Sequence, residues 1–530
     1  VEVSAFTLAE TIGLFTVIFL LIFFNSVRLI YMVRPAELLK GGQIGEKMPK
    51  TKWPLAVLGI VTLAGGYILA LKADNVMTGL NTFFVAVLLV IVGTFSLFMA
   101  GSIAFLKLLQ KNKRYYYKTN HFISVSGMIY RMKQNAASLS LICIMSTGVL
   151  LLISSTTSLY VGQEHSLYMH YPKEFRISLS LGTEPDDSAQ FEKELKEIGT
   201  YAENYLKDNK IATQNAAGQT VIEAAALQKD GNVQITSSRN GSSEDFSDLC
   251  MVQAITLEDY NREAKKDETL EDREALVFFE DSPIQQETFS INDMHWKVRQ
   301  LSADSTMEDS GLKFYVTPVY RIVVKDFAQL QEIWKINKEA YGDHASQVKY
   351  EYSFDVDFPE EKIQKLTSSL HAYLGEQKDA PHAFVYGIEN RTEGRAEFYS
   401  LYGGLFFLGI FLGLLFVMAT VLIIYYKQIS EGYEDKERFA ILKKIGMERG
   451  EINASIHSQV LMVFFLPLVL AGIHSCFAFH LVKEILMGGF GLWDVKLLVL
   501  SAVLTFLAFA VFYVIVYLLT AREYYKIVSE

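Results

Sequence analysis

Phe398–Lys483 decides the fold of this chain, because two long apolar segments there flank a charged one. Residues 398–426 and 452–482 contain no Asp, Glu, Lys or Arg. Each is long enough to cross a bilayer as a helix, which takes about 20 apolar residues. Between them the sequence reads Lys427-Gln-Ile-Ser-Glu431-Gly-Tyr-Glu-Asp435-Lys-Glu-Arg438-Phe-Ala-Ile-Leu442-Lys-Lys-Ile-Gly446-Met447. The stretch predicts two membrane spans joined by a charged segment.

The charged segment has the pattern of an amphipathic helix. Its charges alternate in sign, and its apolar residues stand at helical spacing before Gly446, a glycine stop. These apolar residues are Phe439, Ile441, Leu442 and Ile445. We predict a cytoplasmic coupling helix within residues 427–451, which would pass motion between a soluble partner and the membrane. The pattern also fits an ordinary juxtamembrane helix with solvated charges and apolar residues on lipid.

Composition places the whole chain among membrane proteins, since 51% of its 530 residues are hydrophobic. Seven charge-free segments are long enough to span. They are residues 11–27, 53–71, 75–106, 134–163, 398–426, 452–482 and 497–521. The predicted fold is an α-helical polytopic membrane protein with a large α+β extracellular domain between spans four and five.

Lys and Arg in the short loops set the orientation. Residues 28–52, 107–133 and 427–451 hold six, seven and six basic residues, and the opposite loops hold fewer. We therefore predict three parts. Residues 1–163 are a membrane region with four spans, residues 164–396 are extracellular, and residues 397–530 are a three-span region that contains the coupling helix.

Alternating and helical patterns predict mixed secondary structure in residues 164–396, with antiparallel sheet. Strands are predicted at 174–181, 233–236, 275–279, 296–301, 313–325, 348–358 and 383–390, and helices at 187–206, 328–339 and 360–376. Residues 162–396 hold 43 acidic and 25 basic residues, a balance that would attract cationic ligands or serve solubility alone. The lack of a disulfide framework favours a Gram-positive surface.

A basic, aromatic-rich stretch, residues 106–135, precedes the fourth span. Apolar residues recur in it at helical spacing, and Tyr130, Arg131 and Lys133 lie near its end. We predict an amphipathic helix that lies in the inner membrane interface and then turns upward into the span. Basic residues interleaved with Tyr can also bind nucleic acid, but beside two spans the lipid surface is favoured, so no nucleic-acid partner is expected.

Catalytic motifs are absent from the sequence. There is no Gly-Lys dipeptide, and hence no phosphate-binding loop of the Walker type, and no His-Glu-x-x-His. We expect a chain without catalytic residues, metal site or bound cofactor. His474 and His480 lie within the sixth span, where an ionisable group is a functional hypothesis by default.

The segment from Tyr426 to Met447, followed by Gln459 and Pro467, resembles the second half of FtsX-type ABC-transporter permeases. It is most similar to the Bce-type permeases of Gram-positive bacteria, which confer resistance to bacitracin and lantibiotics. Three further stretches agree with this resemblance: Arg34-Pro-Ala-Glu37-Leu-Leu39, Tyr130-Arg-Met-Lys133-Gln-Asn135, and Ile255–Asn261 with Leu276–Phe279.

The resemblance implies a membrane subunit in the plasma membrane of a Gram-positive bacterium. A separate ABC ATPase dimer, which binds ATP and Mg²⁺, would grip residues 431–447. Closure of that dimer would rock the spans and move the outer domain against a cationic peptide antibiotic or a lipid-linked cell-wall precursor. A membrane histidine kinase would sense the peptide load. Such permeases have ten spans, so we expect three further spans before Val1.

Individual roles also follow from the resemblance. Glu431, Asp435 and Arg438 would make polar contacts to the ATPase, while Phe439, Leu442 and Ile445 would seat the helix before Gly446 ends it. Two alternatives stay open: a permease of the cell-division or lipoprotein-release type, which acts on another envelope substrate, and a membrane receptor or scaffold that has no ATPase.

Overall fold

A computed structural model describes residues 5–32, 52–73, 76–116, 119–229, 232–237, 248–279, 282–300, 317–377, 382–444, 449–492 and 494–529. The chain divides into two compact units, Val1–Thr51 and Lys52–Glu530. In the first unit, helix α1 covers Ala5–Met32 and exposes most of its apolar side chains.

The membrane part of the second unit consists of helices, most of which are long and apolar. They are α2 (Trp53–Leu71), α3 (Val76–Ser96), a π-helical segment (Leu97–Gly101), α4 (Ser102–Lys111), α5 (Lys113–Tyr116), α6 (Thr119–His170), α11 (Arg391–Lys444), α12 (Arg449–Phe490) and α13 (Val495–Ser529). Among the described residues of both units, seven helical segments are long and apolar enough to cross a membrane. This confirms the prediction of a polytopic helical membrane protein.

Two of these helices cross the predicted domain boundaries without a break. Helix α6 has 52 residues and α11 has 54, so each extends for about 80 Å. The sequence predicts that the helix within residues 106–135 turns before span four, but residues 119–170 form one helix without a turn. The position of residues 106–135 in the membrane interface stays a prediction. The predicted coupling helix likewise begins as a continuation of span five, in α11. Charged residues end an apolar run in the sequence, but they do not end a helix.

A domain of mixed sheet and helices, here called the sheet domain, lies between α6 and α11. Its strands are β1 (Phe175–Leu181), β2 (Gln214–Lys229), β3 (Asn232–Gln234), β4 (Leu249–Thr256), β5 (Glu274–Phe279), β6 (Ser282–Pro283), β7 (Thr288–Ile291), β8 (Met294–Val298), β9 (Val319–Val324), β10 (Lys349–Asp355) and β11 (Phe384–Asn390). Its helices are α7 (Ser188–Asp208), α8 (Leu257–Ala264), α9 (Phe327–Tyr341) and α10 (Glu360–Gln377).

The strands form one sheet in the order β11-β1-β10-β2-β3-β7-β8-β5-β9-β4, with β6 paired to β5. Because β4 also pairs with β2, the seven strands from β2 to β4 close into a circuit of pairings. Most pairs are antiparallel, as predicted, but β3–β7, β4–β9 and β5–β8 are parallel. The sheet is therefore mixed.

One face of β1 and β10 packs against helices. Apolar residues of α7 and α10, such as Phe191 and Leu370, are buried against alternate strand residues such as Ile177 and Phe354. The polar residues between them in sequence point to the opposite face, since side chains alternate along a strand. In this part of the sheet one face is therefore apolar and belongs to the core, and the other face is polar. Elsewhere the second face is apolar too, since Val221, Ile255 and Val323 form a smaller core with Tyr260 of α8.

Candidate coupling site

The two long helices enter the sheet domain side by side. Helix α6 leads into β1 and β11 leads into α11, and β1 pairs antiparallel with β11 from Phe175–Asn390 to Leu181–Phe384. Helices α6 and α11 also pack against each other along their length. The two long helices are thus connected directly to two neighbouring strands of the sheet.

Arg391 and Glu174 fasten this junction, which lies near the sheet-domain ends of the two helices. The Arg391 guanidinium donates to the carbonyl oxygen atoms of Tyr171 (2.8 Å) and Pro172 (2.6 Å). The Glu174 carboxylate accepts from the backbone N–H (3.1 Å) and the hydroxyl (2.7 Å) of Thr392. Charged groups satisfy the backbone at both helix ends, an arrangement that restricts their relative motion.

At the opposite end of the bundle three helices meet. We call this region the distal end, and it consists of residues 119–140 of α6, 427–444 of α11 and 513–529 of α13. Buried apolar residues from these helices form its core, among them Ile129, Leu139, Tyr513, Val516 and Tyr524. The predicted coupling residues lie on the α11 part of this region.

Lys427, Glu431 and Asp435 lie four residues apart and therefore share one face of α11. That face points inward, since Glu431 is 8% exposed and Asp435 is 4% exposed. Carboxylates are seldom buried unless they have partners. Both of these have partners from other helices of the same chain.

Glu431 binds helix α6. The amide nitrogen of Asn135, which is itself buried, donates to Glu431 Oε1. Lys427 Nζ lies 3.9 Å from the same oxygen. One oxygen of a buried carboxylate is therefore held by the neighbouring long helix and by a cation on its own helix.

Asp435 binds helix α13. The hydroxyl of Tyr524, whose side chain is 1% exposed, donates to Asp435 Oδ2 at 2.6 Å. Gly432 lies one turn before Asp435, and an added Cβ there would be 3.4 Å from Tyr524 Cδ2. The small residue lets the two helices approach closely beside the hydrogen bond.

These contacts differ from the predicted use of Glu431 and Asp435. Polar contacts of both carboxylates to an ATPase require accessible oxygen atoms, and here the carboxylates bind Asn135 and Tyr524 inside the bundle. They join α11 to α6 and to α13 instead. The coupling role of this segment stays a prediction.

The other predicted residues within the described part of the chain lie on two helices. The last turns of α11 carry Arg438, Phe439 and Leu442. The first turns of α6 carry Tyr130, Arg131 and Lys133. Ile445 and Gly446 lie outside the described residues. The structure thus places the predicted coupling segment and the predicted interfacial segment in two helices that pack together.

Asn135 and Tyr524 are the residues that reasoning from the sequence missed as partners. The sequence gives little sign of these contacts. Asn135 is an amide at the start of an apolar run, and Tyr524 follows the last span. The spacing of Lys427, Glu431 and Asp435 did carry information, because four-residue steps place all three on one helix face.

His474, a predicted candidate within span six, joins α12 to α2 and α3. Its Nδ1 lies 2.6 Å from the Tyr67 hydroxyl, and its Nε2 lies 3.0 Å from Thr94 Oγ1. The ring is buried, and Tyr67 also stacks on Phe477 at 3.9 Å between ring centroids. Both ring nitrogens have hydroxyl partners, which is the pattern of an interhelical contact. Within the described residues no group of three His, Cys, Asp or Glu could hold a metal ion.

Comparisons with known proteins agree with this architecture. Residues 406–528 match the family of FtsX-like permease C-terminal regions. The chain is 26% identical over 475 residues to the ABC transporter permease protein YxdM of Bacillus subtilis, covering 87% of this chain and 67% of that protein. It is 24% identical to the bacitracin export permease protein BceB of Bacillus subtilis, covering 80% of this chain and 62% of that protein. The BceB protein of Halalkalibacterium halodurans is also 24% identical, with 79% and 61% covered.

The FtsX-like region covers most of α11, all of α12 and most of α13. This match and the similar ABC transporter permeases support an FtsX-type permease, and the apolar helices indicate a multi-pass membrane protein. The similarity to two bacitracin export permeases supports the Bce-like type within that class. Permeases of this class are the non-catalytic subunits of their transporters.

Proposed function

We propose that this permease works with a separate ABC ATPase dimer to protect a Gram-positive cell against peptide antibiotics that target the cell wall. ATP and Mg²⁺ would bind on the ATPase, and this chain would supply the membrane path. The observation that carries the proposal is the pair α6 and α11. Each helix joins the sheet domain to the distal end without interruption.

The distal end is where the ATPase would act. Glu431 fixes α11 to α6 and Asp435 fixes it to α13, so a push on the last turns of α11 would move both neighbours as well. Arg438, Phe439 and Leu442 continue α11 beyond these anchors and would contact the ATPase. In this mechanism the buried carboxylates position α11, and the residues after them receive the force.

The sheet domain would face the extracellular side, in keeping with the basic loops at the other end. There it would meet a cationic peptide antibiotic or a lipid-linked cell-wall precursor. Two of the relatives are named bacitracin export permeases, which supports a peptide antibiotic as the ligand. A membrane histidine kinase would read the state of the permease and so sense the peptide load.

Site-specific photo-cross-linking tests the proposal. A photoreactive residue replaces Phe439 in the native gene, and the same residue replaces the exposed Tyr433 as a matched control on α11. We expect Phe439 to cross-link an ATPase with Walker motifs whose ATP turnover rises when bacitracin is added. Recovery of the folded permease without any ATPase from either position would contradict the transporter proposal and favour a receptor or scaffold.

A further inference from the structure

A cleft of about 340 Å³ opens on the polar face of the sheet domain. Its floor consists of residues from β1, β10, β2 and β4 that point away from the apolar core. Small side chains such as Ser178, Ser353 and Ala217 form the hollow. Helix α8 and residues 170–173, which comprise the last residue of α6 and the three that follow it, form parts of the rim. The cleft is therefore next to the junction that joins the sheet domain to the long helices.

Two carboxylates on the floor accept from neighbouring amides. Glu351 is paired in register with Gln219, and Gln219 Nε2 donates to Glu351 Oε2 at 3.2 Å. Glu223 is paired with Gln253, whose Nε2 donates to Glu223 Oε1 at 3.2 Å. Burial raises the pKa of the Glu351 carboxyl; Arg176 opposes this rise, and the Glu223 carboxylate adds to it.

Ion pairs within the cleft leave Glu351 without a cation in contact. Arg262 pairs with Asp259, Arg321 with Glu263 (2.9 Å), Arg176 with Glu389 (3.7 Å) and Lys349 with Glu223 (3.9 Å). In the part of the chain that the structure describes, the Gln219 amide is the hydrogen-bond partner of Glu351, and no basic side chain forms an ion pair with it. At the rim, Lys173 Nζ donates to a backbone carbonyl, that of Asn215, at 2.6 Å.

We propose that this cleft binds a cationic peptide, with an ammonium or guanidinium group of the ligand held by Glu351. Lys173 at the rim is placed to donate to carbonyl or carboxylate oxygens of the same ligand. The inference deepens the proposed function, since it locates peptide recognition within the sheet domain. The volume of the cleft is at the lower end of the range for ligand sites. It would hold one or two side chains of a peptide, and the remainder of the peptide would lie outside the cleft.

Binding measurements on the full chain in lipid nanodiscs test this site, with bacitracin as the probe. Glu351→Gln removes the charge but keeps the oxygen that accepts from Gln219. We expect this variant to bind bacitracin about tenfold more weakly, the effect of one lost charge-assisted contact. Glu339→Gln is the matched control, because Glu339 is exposed on α9 and outside the cleft, and it should bind within about twofold of the unchanged protein.

A competition experiment isolates the cation. N-acetyl-lysine methylamide should displace bacitracin at millimolar concentration, whereas the norleucine analogue, which lacks the ammonium group, should not. Ser178→Phe serves as a second variant, since it fills the hollow without changing any charge and should also weaken binding. A similar affinity in Glu351→Gln and in the unchanged protein overturns the site, and so does the absence of bacitracin binding by the folded, unchanged protein.

The result is separable from the proposed function. Recovery of the ATPase through Phe439, together with binding that is insensitive to Glu351, would reject the cleft and keep the transporter. Binding that depends on Glu351, without any ATPase partner, would keep the cleft and reject the transporter.

Discussion

Arg391, the first residue of α11, donates from Nε to the carbonyl oxygen of Tyr171, which follows the last residue of α6, at 2.8 Å. The same guanidinium reaches the carbonyl oxygen of Pro172 at 2.6 Å and lies 4.5 Å from the ring centroid of Tyr168. One planar side chain thus ties the start of one long helix to the end of the other.

Arg391→Lys should loosen this junction, because an ammonium group cannot reproduce two donors in the fixed geometry of a guanidinium. We expect a loss of about 2 kcal/mol in stability and faster hydrogen exchange at residues 171–176. Arg273→Lys is the control, since Arg273 forms an ion pair with Glu332 at 2.8 Å in which both side chains are over 40% exposed. Equal exchange rates in the two variants would refute a special role of Arg391.

Tyr524→Phe removes a hydrogen bond to a buried carboxylate and should lower the free energy of unfolding in detergent by about 1.5–3 kcal/mol. A double-mutant cycle with Asp435→Asn measures the interaction, and we expect a coupling of at least about 1 kcal/mol. Tyr433→Phe, on the exposed side of α11, should change stability by less than about 0.5 kcal/mol. Additive effects of the Tyr524 and Asp435 changes would show that their hydrogen bond contributes nothing.

Gly93→Ala should disturb the contact between α2 and α3. A Cβ added to Gly93 would lie 2.8 Å from the backbone nitrogen of Leu63, so one helix must move. We expect a loss of about 1–3 kcal/mol in SDS-induced unfolding. Gly65→Ala, for which the nearest atom is Leu89 Cδ1 at 3.8 Å, is the control and should be tolerated. Equal losses in both variants would mean that close backbone approach at Gly93 is unimportant.

Glu351 should make stability depend on pH. Its pKa is raised in the folded state, so the stability that its protonated form contributes is present below the unfolded value of about 4.5 and is lost as the pH rises through the folded pKa. Glu351→Gln removes this dependence. We therefore compare the Tm of the variant with that of the unchanged protein at two pH values. The advantage of Glu351→Gln should be larger at pH 7.5 than at pH 4.5, whereas Glu339→Gln should show no such change with pH. If the difference in Tm between Glu351→Gln and the unchanged protein is the same at both pH values, the raised pKa of Glu351 is contradicted.

Periodicity predicted most of the sheet domain. Phe191, Leu195 and Ile198 indicated α7 within one or two residues of its ends, and alternation indicated β1, β10 and β11. Strand β2 was missed because its middle, Glu223-Ala-Ala-Ala-Leu227, has the composition of a helix. The first part of β2 pairs with β10 and the later part pairs with β4. These pairings outweigh the helix propensity of the segment.

The candidate coupling site shows where reasoning from the sequence ends. Charged residues are usually exposed, so the pattern of Glu431 and Asp435 indicated a surface. Their burial depends on Asn135 and Tyr524, which come from helices far away in the sequence, and no local spacing specifies such contacts. The segment could be predicted, but the direction of its side chains could not.

The ends of α6 and α11 lie far from the helix midpoints, because each helix extends for about 80 Å. A tilt of about 5° around the midpoint would therefore move each end by about 3.5 Å. That distance exceeds the length of any hydrogen bond that Arg391 or Glu174 makes at the junction. A rotation of one long helix against the other by only a few degrees would therefore be enough to break the hydrogen bonds that join them beside the cleft.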